Sequence, residues 1–237
     1  HTDGVKAEHG FVSMIPSHKK GFYVTWLDGR NTVANSGEAH HKAMTIRFAE
    51  ILPTGEIVNE TELDATTCDC CQTSIAMTND GPIVVYRNRS KDEVRDIFIT
   101  RYKDGIWEKP RPVHNDGWVI NGCPVNGPKV VVNSSNTAIA WFTAAEGKPK
   151  VNVSFSNSDD GDFRPPVQLN DLNAIGRVDV AFLNSSEVLV SYMELDDHGT
   201  YLKIKKVSID GKVSEAKTIA VIDEGRNSGV PQLEIMK

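Results

Sequence analysis

The 237 residues carry 26 Lys and Arg against 32 Asp and Glu, a formal charge of −6. That acidity excludes a surface built to hold nucleic acid by neutralising phosphates. With 39% hydrophobic and 24% charged residues, the composition excludes a disordered or collagen-like chain. No apolar run approaches the roughly 20 residues that cross a bilayer, so no transmembrane segment is expected. The first residue is His1 rather than Met, which reads as a processed or trimmed chain.

In chain order the expected elements are strands. Short runs rich in Val, Ile, Phe, Tyr and Trp are separated by Gly, Asn, Asp, Ser and Pro clusters, the signature of β structure. Apolar and polar residues alternate at Met44–Phe48, Val151–Phe155 and Leu202–Ile204, which predicts half-buried strands. Residues 39–52 have a helix-friendly composition, and a repeat that runs through the chain overrules it. Buried runs end in Trp26, Tyr86, Trp141 and Tyr192, spaced 60, 55 and 51 residues apart. Turn glycines fall at Gly55, Gly105, Gly161 and Gly211, spaced 50, 56 and 50 apart. Two independent landmarks with a period near fifty predict an all-β propeller whose blades are four-stranded antiparallel sheets. The blades are expected over residues 11–64, 72–114, 127–170 and 177–223 of a single domain. A further blade begins at 230–237, and its lone inner strand, with unpaired edges, predicts a piece of a larger ring.

Several strings resemble a known family. Ser156–Phe163 resembles the Asp box of BNR-repeat sialidases, with Asn157 in place of the usual Ser and one residue missing before the aromatic. Lys103–Trp107 is a more degenerate copy, and WLDGR, TCDCCQT, VVYRNRS, GCPVNGP and GRVDV resemble bacterial sialidase-like proteins. The resemblance implies a sialidase-like, six-bladed propeller, exported to the periplasm or beyond, with about four blades present here. It also implies a glycoside hydrolase of the exo-alpha-sialidase type, which requires no cofactor. The family's three-arginine clamp, Tyr nucleophile and Asp acid/base do not map cleanly: Gly176-Arg177-Val178-Asp179 is the nearest approach to its inner-strand Arg-Ile-Pro signature and lacks the proline.

If the Asp-Gly turns lie on one face, the starts of the inner strands and the loops after the second strands share the other, around the channel. That face would collect Arg30, Arg87, Arg89 and Arg177 to bind a carbohydrate or another anionic small molecule, with Asp69 or Asp179 as acid/base. Guanidinium groups suit a carboxylate because they form two parallel bonds with it. Arginines and carboxylates in these places equally suit structural ion pairs. Trp118, in the loop entering the third blade, offers a ring for a sugar to stack on or simple packing. Cys68, Cys70 and Cys71 precede one inner strand and Cys123 the next, so their sulfurs should meet. Disulfides suit an oxidising compartment, and a thiolate site for Cu or Zn is the alternative. In that alternative the chain is a non-catalytic propeller binding a metal ion or a protein partner through its cysteine rim.

Overall fold

A computed structural model describes residues 3–33, 43–134, 136–157, 161–225 and 228–236. The first sheet comprises β1 (His9–Pro16), β2 (Phe22–Asp28), β3 (Met44–Ile51) and β4 (Ile57–Thr67), antiparallel and in that order. The second comprises β5 (Ser74–Met77), β6 (Pro82–Arg87) and β7 (Ile97–Lys103). Its outer place is shared by two short strands, β8 (Ile106–Trp107) and β9 (Arg111–Pro112), both paired to β7. The third contains β10 (Lys129–Val132), β11 (Asn136–Thr143), β12 (Lys150–Asn157) and β13 (Val167–Gln168). The fourth contains β14 (Asn173–Phe182), β15 (Glu187–Asp196), β16 (Gly199–Ser208) and β17 (Lys217–Ile222). Residues 44–51 are thus strand, as the repeat requires, and the helical structure among the described residues is one 3-10 turn at Ala145–Gly147.

The chain divides into two compact units, residues 1–112 with 119–125, and residues 113–118 with 126–237. Each holds two sheets. In the first unit Leu27, Met44, Ile46, Phe48, Leu63, Ile75, Val84 and Tyr86 form one apolar cluster drawn from both sheets. In the second, β14 packs against β10, β11 and β12. The second strands of two sheets are covered on both sides: all residues of β6 and β11 are buried. That explains their unbroken apolar sequences, since a strand buried on both faces has no reason to alternate. The outer strands β4 and β17 are largely exposed.

The repeat landmarks occupy equivalent places. Trp26, Tyr86, Trp141 and Tyr192 all lie in second strands and are all buried. Gly55, Gly105, Gly161 and Gly211 all have positive φ. At Gly105 the reason is plain: Asp104 (φ 51°) and Gly105 (φ 85°) form a two-residue link between the paired Lys103 and Ile106, and such a turn needs positive φ at both positions.

Two expectations need correction. The alternating strands β3 and β12 are not half-exposed, because Thr45, Asn152 and Ser154 are buried as well and Arg47 is only partly exposed. Hydrogen bonds make this tolerable: Thr45 Oγ1 donates to the Asp28 carbonyl and Ser154 Oγ to the Arg164 carbonyl. Residues 230–233 form no strand; the Leu233 amide donates instead to the Asp179 carboxylate at 2.8 Å. The Asp-box hairpin of Ser156–Phe163 lies partly outside the described residues.

Candidate functional site

In the first unit, three segments meet at the end of the sheets opposite the Gly55 and Gly105 turns. They are the loop from β4 to β5, the loop from β6 to β7, and residues 119–125. Main-chain bonds set their positions. The Cys68 amide donates to the Arg87 carbonyl at 2.9 Å, and the Asn88 amide to the Asp96 carbonyl at 3.0 Å. Val94 and Val119 form an isolated antiparallel bridge, and the Ile120 amide donates to the Glu93 carbonyl at 3.1 Å. This tether brings Cys123 to Cys70.

Cys70 and Cys123 form a disulfide with Cα atoms 6.0 Å apart, while Cys68 and Cys71 remain buried thiols. Their Sγ atoms are 3.2 Å apart, and Cys68 Sγ lies 3.9 Å from Cys70 Sγ. All four sulfurs therefore meet, as the repeat alignment of CDCC with GCP predicts. The bond from Cys71 lowers the Cys68 thiol pKa most; burial opposes it, and the Cys70 amide and Arg95 guanidinium add to the lowering, leaving it at about 6.

A chain of charges leads outward from Cys68. Arg95 Nη1 donates to Cys68 Sγ at 3.1 Å, and its other nitrogens hold Glu93 Oε2 at 2.6 and 3.1 Å. Arg89 grips the same carboxylate at 2.8 and 3.0 Å on Oε1, and donates to Asp69 Oδ2 at 3.0 Å. Bonds from Arg89 and then Arg95 hold the Glu93 carboxyl below the usual carboxylate range. The Asp69 side chain is 45% exposed, yet its Oδ1 atom is buried and has no partner among the described residues. Arg87 lies beneath, 1% exposed, with Nη1 on the Arg95 carbonyl at 2.6 Å.

The structure therefore brings Asp69, Arg87, Arg89 and the four cysteines together. Arg30 sits elsewhere in this unit, gripping the fully buried Asp28 carboxylate at 2.7 and 2.9 Å, with Glu60 and Asp3 also in reach. The remaining expected residues belong to the second unit. Arg177 donates to the backbone carbonyls of Glu224, Gly225 and Gly229. Asp179 is buried and accepts from the Val180 and Leu233 amides. Trp118 is 5% exposed and packs edge-to-face on Phe142, with ring centres 5.4 Å apart. Its ring is packed rather than presented. Glu93 is the residue that sequence reasoning passed over. Its place two residues from Arg95 and four from Arg89 was the available signal.

No family model matches the chain. No curated protein matches it by sequence. Solved structures do share its fold. An alpha-L-arabinofuranosidase from Podospora anserina, solved with cellotriose, is 12% identical over 98% of this chain and 74% of that one, with a TM-score of 0.52. A Hadza microbial sialidase is 12% identical over 90% of this chain, with a TM-score of 0.54. A neuraminidase-like protein of A/flat-faced bat/Peru is 10% identical over 90% of this chain, with a TM-score of 0.55. The chain spans about half the length of each of the last two, 47% and 54%. At these identities the likeness is one of fold: the four-stranded antiparallel blades are those of a sialidase-like propeller.

Proposed function

We propose that the chain is a carbohydrate-active, exported propeller of the BNR-repeat sialidase type, and that the rim carrying Asp69 and Arg89 is where it engages its ligand. Asp69 carries this reading. One carboxylate oxygen is fixed by Arg89 and the other has no donor among the described residues, on a side chain that remains partly exposed. Glycoside hydrolysis needs a carboxyl group held beside the scissile oxygen, and Asp69 is the acid/base candidate that meets the surface. Arg89, 30% exposed, is the arginine placed to bind a sugar carboxylate once it exchanges part of its grip on Glu93. Arg30, Arg87 and Arg177 act in this reading as scaffold, because carboxylates or carbonyls of the chain already engage them. The disulfide supports export, since such bonds persist in oxidising compartments.

The test is hydrolysis of aryl sialosides and aryl arabinofuranosides by the wild-type protein and Asp69→Asn. Turnover that falls by about a hundredfold or more in the variant fits a lost general acid. Equal turnover in both, or no turnover and no glycan binding by the wild type, sinks the reading.

The cysteine geometry favours a second reading. The ligand atoms of Cys68, Cys70 and Cys71 lie within 4.8 Å of one another, and reduction of the Cys70–Cys123 bond would add the fourth thiolate of a Cu(I) or Zn(II) site. Stoichiometric zinc uptake by the reduced protein, abolished by Cys68→Ser, would support it.

A further inference from the structure

A cavity of about 730 Å³ opens in the first unit, where its two sheets approach near the Gly105 turn. That volume falls within the roughly 300–1,000 Å³ of small-molecule sites. Four of its lining residues are aromatic: Tyr23 on β2, Phe48 on β3, Tyr102 on β7 and Trp107 on β8. Their rings touch in succession, with centres 5.5 Å apart for Tyr23 and Phe48, 4.8 Å for Phe48 and Trp107, and 5.5 Å for Trp107 and Tyr102. Mutual packing fixes the rings, so the apolar wall is formed before any ligand arrives.

Glu50 also lines this cavity, from the same strand as Phe48. The residue is 2% exposed. Its Oε2 accepts from Lys19 Nζ at 3.0 Å, while Oε1 is buried and has no partner among the described residues. A buried carboxylate oxygen calls for a donor. Lys19 already balances its charge, so a cationic ligand would meet Lys19 as well as Glu50. An anion would meet Glu50, Glu62 and Glu108, and with Lys19 and Lys109 on the same walls the lining of three carboxylates and two ammonium groups favours neither sign of charge. What remains is a neutral molecule that offers hydroxyl donors on its edges and C–H groups on its faces. A pyranose has that character: its C–H face lies against aromatic rings while a hydroxyl supplies the donor that the unpartnered Glu50 oxygen lacks.

We propose that this groove binds a neutral saccharide unit and is a carbohydrate site separate from the cysteine rim. The separation follows from β3. Met44 pairs with Thr67 just before the cysteine loop, whereas Glu50 pairs with Val58 near the Gly55 turn. Six residues of extended chain span about 20 Å. The inference goes beyond the rim reading and stands if that reading fails.

The probe is maltotriose, titrated into the full chain while its amide and indole NMR signals are followed, alongside Glu50→Gln, Tyr102→Ala and Asp69→Asn. Maltotriose should shift the Trp107 indole and Glu50 amide signals and leave those of Cys68 and Asp69 in place. In Glu50→Gln, Lys19 retains the amide oxygen, and a donor replaces the unpartnered acceptor. Affinity should then fall about tenfold, the loss of one good hydrogen bond. Tyr102→Ala, at a partly exposed position, should weaken binding too, and Asp69→Asn should bind as the wild type does. Thermal melts confirm that each variant is folded. Unchanged affinity in folded Glu50→Gln, shifts confined to the rim, or binding of tetramethylammonium but not of maltotriose would each overturn the proposal.

Discussion

Tyr86 donates its hydroxyl to the Asp64 carboxylate at 2.6 Å, tying the second strand of one sheet to the outer strand of the sheet before it. Its repeat partners also donate, to differently placed acceptors: Trp26 Nε1 to Asp28 of its own strand at 2.8 Å, Trp141 Nε1 to Asp116 at 2.7 Å, and the Tyr192 hydroxyl to the Leu169 carbonyl at 3.4 Å. The repeated aromatic is therefore both a core residue and a buried donor. Burial, reinforced by Asp64, raises the Tyr86 phenol pKa, so it stays protonated and able to donate. Tyr86→Phe keeps the ring and removes only the donor. A hydrogen bond to a charged group contributes about 1.5–3 kcal/mol, and Asp64 is partly exposed to water. A loss near the lower end of that range is expected in urea unfolding.

Asn126 holds the irregular start of β14. Its Oδ1 accepts from the Arg177 amide at 2.7 Å, and its Nδ2 donates to the Ile175 carbonyl at 3.0 Å. Between those residues Gly176 has φ +90°, and an added Cβ would lie 2.4 Å from Asn126 Oδ1 and 2.8 Å from Phe142 Cβ. Both strain and overlap oppose a side chain there. Gly176→Ala should cost about 3 kcal/mol or more, and Asn126→Ala, which strands two backbone groups, about 2 kcal/mol. A Gly176→Ala melt equal to that of the wild type would contradict this account of the bulge.

The sequence showed the blade scheme because local chemistry sets both landmarks: an aromatic in a strand covered on both faces, and a glycine where a tight turn needs positive φ. That a cysteine of CDCC meets Cys123 was also legible, since the repeat puts CDCC and GCP before successive inner strands; that the partner is Cys70 was not. The partners of the arginines were not. Arg177 meets carbonyls some 50 residues along the chain, and no local pattern marks them. Nothing in the run Ser90–Glu93 singles out Glu93; in the fold its positive φ of 59° helps turn the side chain back between Arg89 and Arg95. The aromatic groove was hidden for a similar reason. Phe48 and Glu50 are two apart on one strand, but Tyr102 and Trp107 reach them from another sheet.

Asp28 should give acid unfolding a recognisable component. Burial raises its carboxyl pKa, but the Arg30 side chain and amide and the Trp26 indole outweigh that and hold it at about 2, against an ordinary 3.8. A carboxyl depressed in the folded state adds stability that is complete above about pH 4 and is lost as the pH falls toward 2. The difference corresponds to about 2 kcal/mol. Urea titrations across that window should show wild-type stability falling more steeply than that of Asp28→Asn, although the variant is the less stable of the two at neutral pH. Parallel curves would mean that Asp28 does not carry the linkage.

The cysteines make the most direct chemical prediction. Protein unfolded without reductant should yield two reactive thiols, from Cys68 and Cys71, and four after reduction. Peptide mapping of the unreduced chain should recover Cys70 joined to Cys123. The bond closes a loop across a sequence separation of 53, for which chain entropy gives a stabilisation of about 4 kcal/mol. Cys123→Ser should therefore lower the melting temperature markedly and leave three thiols. Reduction also separates the two readings of the rim. If the four sulfurs form a metal site, zinc added to the reduced, folded protein should shield all four from alkylation until a chelator is added. If the rim is built around the disulfide, zinc should protect none, and only reoxidation should restore the starting thiol count. Recovery of Cys68 joined to Cys71, with Cys70 and Cys123 reactive, would overturn the pairing itself, and with it the tether through Val119 and Ile120 as the reason Cys123 lies where it does.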